Sequence, residues 1–257
     1  MILRRVLNPE RVVLAVEDNK VEAIAKLDAM IGNYPGIELV VLPTMYPQGS
    51  EKQLIQSVTK RQVPPGQLPV SVGCAVFNVA TFAAIYRAVR LGMPLVQRIV
   101  TISGEAIDQP QNFVVRIGTP FHDLIEVAGG LHDKTERVIS GGPMMGVAQF
   151  DLSVPVTKGT NAVTILGHLN RYIVEASRCI RCGKCIDACP MKLMPVLMYK
   201  ALYSGSVEEM KSVHMMDCIE CGSCAYTCPA CVPLVLAFRS GKHMIRDAAA
   251  AAAAKKS

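Results

Sequence analysis

CIRCGKCIDACP at 179–190 and CIECGSCAYTCP at 218–229 decide how the last third of this chain folds. Both read C-x2-C-x2-C-x3-C-P, and the second follows the first by 39 residues, Cys179 to Cys218. A repeat at fixed spacing marks a duplicated unit. The spacing has a local chemical reason. Three thiolates, each two residues from the next, wrap one loop around three irons of a cubane. The fourth follows a helical turn, points away and ligates the other cluster of a two-cluster fold. The motifs therefore predict two [4Fe–4S] clusters. Cys179, Cys182, Cys185 and Cys228 are expected to hold the first, and Cys218, Cys221, Cys224 and Cys189 the second. Zinc is the alternative, but its sites take two C-x2-C pairs around one tetrahedral ion. Here each block carries a third loop cysteine and a trailing C-P.

Gly183 and Gly222 keep side chains away from the cluster loops, and Pro190 and Pro229 turn the chain after the crossing ligand. Two of the ten cysteines remain. Cys231 is spare because the ligand count is full, and Cys74, in an apolar run, reads as packed core. Arg178, Arg181 and Lys184 surround the first loop, whereas Asp217 and Glu220 surround the second. Nearby cations favour the added electron, so the first cluster is expected to have the higher reduction potential.

Composition agrees with a globular, metal-bearing chain. Of 257 residues, 51% are hydrophobic, enough for sizeable cores. The formal charge of +6 falls to roughly +2 once two clusters of net charge 2− are added. That balance gives no reason to invoke nucleic acid. Aromatics at 5% and the absence of Trp argue against stacking platforms for single strands. No export signal opens the sequence, which places the cysteines in a reducing compartment where metal outcompetes disulfide.

Upstream, RVVLAV at 11–16, a helical stripe at 20–31 and a second β-branched run at 37–42 read as a βαβ unit in a buried parallel sheet. Two parallel strands do not make a stable sheet, so this domain looks incomplete. In TMYPQGSEKQLIQSV at 44–58, Ser50 and Gln53 have capping-box spacing. A helix starting there leaves backbone N–H groups free, which serves either a plain cap or an anion. The run at 68–85 has 18 residues without a charge, which touches the membrane-span threshold. Pro69, Gly73 and Asn78 interrupt it, so a buried strand at 70–76 and a helix at 78–89 are expected. RIVTISG, NFVVRIG and RVISGG lie around a short helix begun by Thr119 and Pro120 and stopped by Gly129 and Gly130, which suggests a small α+β module. GGPMMG at 141–146 is a tight turn whose glycines allow close approach. A linker with a short apolar run at 162–166 leads to the cysteine region, and the alanine-rich tail extends the last helix.

AVEDNK at 15–20, YPQGSEKQLI at 46–55, VPPGQLP at 63–69, the helix after Asn78, VRIGTP at 115–120, GGPMMG and the twin cysteine blocks resemble, in this order, the RnfC family of the Rnf complex, clostridial type. The resemblance runs over almost the whole chain. It implies the electron-transfer subunit of a membrane-bound, ion-translocating NAD:ferredoxin oxidoreductase, peripheral on the cytoplasmic face of the bacterial cell membrane. Implied partners are the other Rnf subunits, NAD(H) and, through the complex, a ferredoxin-type carrier. A soluble reductase of the same architecture, such as a cobalamin reductase, and a pure cluster relay without a substrate site are the alternatives.

The implied fold is multidomain, α/β plus α+β. It comprises a partial Rossmann-like α/β domain for nucleotide and FMN at 1–95, like the flavin-carrying subunit of complex I, and an SLBB β-grasp module at 96–150. A linker at 151–170, a two-cluster ferredoxin-like helical domain at 171–246 and a tail at 247–257 follow. The family's glycine-rich loop lies upstream of the matching part, so an N-terminally truncated chain is expected. By the same resemblance Tyr46, Gly49, Glu51, Lys52 and Asn78 are the candidate FMN- and NAD(H)-facing residues. No acid–base or nucleophilic catalytic residue is implied.

Overall fold

The structure, a computed structural model, describes residues 2–167 and 176–254. It divides into two compact units, Met1–Gly92 and Met93–Ser257.

In the first unit a short helix, α1 (Ile2–Leu7), leads to β1 (Val12–Glu17), α2 (Val21–Ile31) and β2 (Ile37–Leu42). The strands pair in parallel from Val12 opposite Ile37 to Glu17 opposite Leu42, as the βαβ reading requires. Asp18 locks the far end, accepting the Thr44 N–H at 3.0 Å and the Thr44 hydroxyl at 2.6 Å. These bonds hold its carboxyl below the usual carboxylate range. Among the described residues this sheet has two strands. Its unit buries few apolar side chains, among them Leu42, Ile55 and Val63.

Ser50 takes the N-cap position of α3 (Glu51–Thr59), but its side chain makes no capping bond, so the expected capping box does not form. The expected strand at 70–76 is also absent. Pro69–Val72 is a 3-10 turn instead, begun by Pro69 and stopped by left-handed Gly73. A proline supplies no donor and suits a first helical turn better than a ladder. Cys74 is accordingly half-buried, with its thiol toward the Val72 carbonyl, and not in a strand core. The following helix, α4 (Val79–Leu91), forms as expected. Among the described residues no helix is long and apolar enough to cross a membrane.

The second unit opens with a five-stranded sheet in the order β4-β3-β7-β5-β6. Its strands are β3 (Gln97–Ser103), β4 (Gln111–Arg116), β5 (Thr135–Ser140), β6 (Val147–Gln149) and β7 (Ala162–Gly167). The apolar run assigned to a linker is thus the central strand. It runs parallel to β3 and antiparallel to β5. Alternation fails to reveal it because a strand covered on both faces reads as a continuous apolar run. Gly104, at φ +133°, is required here: a Cβ would lie 1.9 Å from the Ile165 carbonyl of β7. The helix α5 (Phe121–Val127) packs Phe121, Leu124 and Ile125 onto Val100, Ile102, Val163 and Ile165. Pro120 occupies its N-cap place, one residue later than the sequence suggests.

The cysteine region is helical: α6 (Lys184–Asp187), α7 (Pro195–Ser204), α8 (Val207–Ser212), α9 (Ser223–Tyr226) and α10 (Leu234–Ala254). The alanines prolong α10 as expected, while Lys255, Lys256 and Ser257 lie outside the described residues, as do 168–175. Met198, Met210, Met215, Leu234, Phe238 and Ile245 form the core of this region.

Candidate iron–sulfur centre

The duplication seen in the sequence is a duplication of backbone. Arg181 and Glu220 share a left-handed conformation (φ 58° and 56°), as do Gly183 and Gly222 (79° and 86°) and Lys192 and Cys231 (55° and 49°). Each pair is separated by the 39 residues of the repeat. Short helices α6 and α9 start after the paired glycines and lie against each other. Longer helices start at Pro195 and Leu234, again one repeat apart. The fourth cysteines match too: the Cys189 N–H bonds the Ile186 carbonyl at 3.1 Å, and the Cys228 N–H bonds that of Ala225 at 3.2 Å. Cys231 therefore corresponds to Lys192, a residue of the turn after the motif.

The second motif closes around a small cavity that opens to solvent. Cys218, Cys221 and Cys224 line it together with Cys189 from the first motif. Met198, Val235 and Phe238 complete an apolar wall. Burial pushes the Cys224 thiol up to about 12, with Cys218, Cys221 and Cys189 adding to the shift. Cys218 is raised by burial as well, and again by Cys189 and Cys221. Four thiols thus share one space, and deprotonating any one of them disfavours the rest. Backbone groups point at these sulfurs, among them the Leu193 N–H at 3.4 Å from Cys189 Sγ and the Glu220 N–H at 3.3 Å from Cys218 Sγ.

This donor set fits a [4Fe–4S] cluster and not a single ion. A tetrahedral zinc at about 2.3 Å from each sulfur holds its thiolates ~3.8 Å apart. Among the described residues no three His, Cys, Asp or Glu side chains converge tightly enough for one metal ion. A cluster is a larger body, and sulfurs spread around a cavity suit it.

The first motif is more open. Cys179 and Cys182 are exposed, while Cys221 and Cys224 are buried. Cys185 is half-buried, and burial first, then Cys179 and Cys182, raises its pKa. Those three thiols are therefore neighbours. By the repeat's symmetry Cys228 is the counterpart of Cys189. Arg178, Arg181 and Lys184 are exposed beside them.

The expected charge contrast between the two loops holds only in part. Glu220 is not a free negative charge. It accepts from Arg239 at 2.9 Å and Lys242 at 2.6 Å, both on α10. Burial alone would raise the Glu220 carboxyl, but these two bonds outweigh it and hold it below its ordinary value. Asp217 faces His214 at 3.2 Å. Burial, which makes added charge costly, replaces the two carboxylates as the reason to expect the lower potential at the second site.

Sequence reading missed two partners of this site. Lys242 is one. Its signal was visible as a lysine on the apolar stripe of α10, between Phe238 and Ile245. Met144 is the other: a Cβ on Gly222 would lie 2.9 Å from the Met144 carbonyl. The GGPMMG turn thus leans on the second cluster loop, a long-range contact that spacing does not encode.

The flavin candidates lie in the first unit. Tyr46, Gly49 and Glu51 are exposed at the entry to α3, and nothing lies within 4 Å of a Cβ placed on Gly49. Lys52 Nζ donates to the Pro64 carbonyl at 3.3 Å. Asn78 is the N-cap of α4, its Oδ1 accepting the Ala80 N–H at 2.9 Å. Tyr46 and Gly49 lie in the loop before α3 and Glu51 and Lys52 in its first turn; Asn78 serves a helix start.

Residues 1–87 match the Nuo51 FMN-binding domain, 99–148 the SLBB domain and 171–229 the 4Fe-4S dicluster domain. The chain is 46% identical over 214 residues to the C component of the proton-translocating ferredoxin:NAD(+) oxidoreductase complex of Clostridium ljungdahlii, covering 81% of this chain and 46% of that one. It is 46% identical to the C component of the ion-translocating oxidoreductase complex of Pseudomonas aeruginosa, covering 96% and 32%. The Na(+)-translocating counterpart of Acetobacterium woodii is 45% identical, covering 92% and 53%. The chain spans about half or less of these relatives' length. Among solved structures, an NAD+-reducing [NiFe]-hydrogenase in the air-oxidized state matches with a TM-score of 0.54 at 16% identity, covering 93% of this chain and 41% of that one. At that identity the likeness shows the fold alone. With sequence identity sustained over most of the chain and three domain matches in the same order, this protein belongs to the RnfC family of ion-translocating oxidoreductase complexes.

Proposed function

We propose that the chain is the electron-transfer part of the RnfC component in an ion-translocating NAD:ferredoxin oxidoreductase. It passes electrons between an NADH/FMN site and two [4Fe–4S] clusters. The observation that carries this reading is Cys189 of the first motif lining one cavity with Cys218, Cys221 and Cys224 of the second. That crossing ties two sites into one helical frame, which is what stepwise transfer of single electrons needs.

The ligand sets are Cys179, Cys182, Cys185 and Cys228 for one cluster, and Cys218, Cys221, Cys224 and Cys189 for the other. When bound, the clusters supply one-electron chemistry, and the protein supplies binding, orientation and electrostatics. Met198, Val235 and Phe238 give the second site an apolar wall. The Leu193 and Glu220 N–H groups stabilise thiolate charge at Cys189 and Cys218. Tyr46, Gly49, Glu51 and Lys52 form one wall of a flavin and NAD(H) site, with Asn78 setting the start of α4.

The exposed Cys179 and Cys182, ringed by Arg178, Arg181 and Lys184, support the first site as the face turned to the next carrier. The partners are the other subunits of the complex, a ferredoxin-type carrier reached through them, and NAD(H), with the chain peripheral on the cytoplasmic face of the membrane.

Anaerobic reconstitution followed by iron and sulfide analysis and EPR of the dithionite-reduced chain tests this reading. Two interacting [4Fe–4S] signals are expected. A stable one-cluster protein, or preferential zinc loading, would refute it.

A further inference from the structure

Lys242 occupies a costly place. It lies on the buried stripe of α10, its side chain only 8% exposed. Nζ donates to the Cys218 carbonyl at 2.6 Å and to Glu220 Oε1 at 2.6 Å. Arg239, one turn earlier, donates to Glu220 Oε2 at 2.9 Å. Two cations and one carboxylate thus sit behind the loop of Cys218 and Cys221, leaving one net positive charge.

A buried ion pair is a poor source of stability, and a well-packed apolar side chain does as well or better. Arg239 already tethers Glu220 to α10. Packing and tethering therefore do not account for a second, deeper cation. The repeat provides an internal control. One repeat earlier, Tyr203 stands in place of Lys242, 72% exposed, and Arg181 in place of Glu220. The arrangement belongs to the second site alone.

We propose that Lys242 is a positioning residue of the second cluster site. It fixes the Cys218 end of the loop through the backbone carbonyl, and its buried charge raises the reduction potential of the cluster held there. The inference rests on the ligand assignment proposed above. Reduction adds one negative charge to the cluster. A cation in the low-dielectric wall stabilises that charge more than an exposed one does. Glu220 acts in the opposite sense, so the pair sets the potential by difference.

The test is an EPR-monitored redox titration of the reconstituted full chain, with the second cluster identified as the signal lost in Cys221→Ala. Lys242→Met is expected to lower that cluster's midpoint. At fixed potential its reduced:oxidised ratio should fall about tenfold, which is about 59 mV for a one-electron couple. Glu220→Gln should raise the midpoint, Lys242→Met/Glu220→Gln should return it toward the starting value, and Lys242→Arg should leave it in place. The first cluster should hold its midpoint throughout. If Lys242→Met fails to take up the second cluster, Glu220→Gln decides: an upward shift supports the role and no shift overturns it. Unchanged midpoints in both single variants, or shifts of the same sign, would reduce Lys242 to a structural tether. A Cys221→Ala chain that keeps both signals would overturn the ligand assignment and this role with it.

Discussion

Gly183 and Gly222 occupy the same turn in the two cysteine motifs, at φ +79° and +86°. Around Gly183 a Cβ would meet nothing within 4 Å, whereas at Gly222 it would press on the Met144 carbonyl. The contrast runs through both sites. Repetition has copied ligands, turns and helix starts. The surroundings come from elements that are not repeated: the GGPMMG turn, the methionines under α10, and the Arg239–Glu220–Lys242 group. Two sites with one backbone can therefore differ in burial and charge, the properties that separate the potentials of chemically identical clusters.

The largest effect should come from breaking the crossing between the motifs. Cys189→Ala should empty the second site although it lies in the first motif. Roughly half of the iron should be lost, with the signal removed matching that removed by Cys221→Ala. Loss of the other signal would show that each motif closes its own site. Next come the paired glycines. Alanine at either should cost about 1–2 kcal/mol of backbone strain. Only Gly222→Ala should add ~1–3 kcal/mol of overpacking against Met144. Denaturant unfolding of the two variants gives the difference directly, and equal losses would remove the turn from the second site.

A smaller effect is expected at Gly241, where a Cβ would sit 2.2 Å from Met215 Sδ. Gly241→Ala should lower stability by about 1 kcal/mol, the low end for overpacking because thioethers move aside. The smallest belongs to Tyr203, the positional counterpart of Lys242. Tyr203→Phe removes an exposed hydroxyl bond to Tyr199, 3.2 Å in length. It should leave both midpoints and the unfolding curve unchanged. A moved first midpoint would mean that the two positions share a role.

Sequence was most informative where the determinants are local. The cysteine spacing, the paired glycines and the parallel pairing of 12–17 with 37–42 all follow from short-range pattern. It failed where a partner far along the chain decides. The run at 70–76 alternates like a strand but has none beside it, so Pro69 and Gly73 set its course. The run at 162–166 is too short to classify alone and becomes a strand because β3 and β5 flank it. Glu220 looked like a free charge because its cations lie 19 and 22 residues away on α10. The lysine within an apolar stripe was the signal that could have revealed them.

The central place of β7 has a practical consequence for dissecting this protein. The SLBB match ends at residue 148, yet in the described sheet the β3–β4 pair and the β5–β6 pair are joined through a strand that begins at Ala162. A piece excised at the end of the match would lack the strand between the two pairs, leaving the core of Val100, Ile102 and Val138 without Val163 and Ile165. One cut after Gly167 would carry the whole sheet. During synthesis the same rule applies: the sheet cannot close until residue 167 has left the ribosome, shortly before the first cysteine motif, which begins at Cys179, emerges.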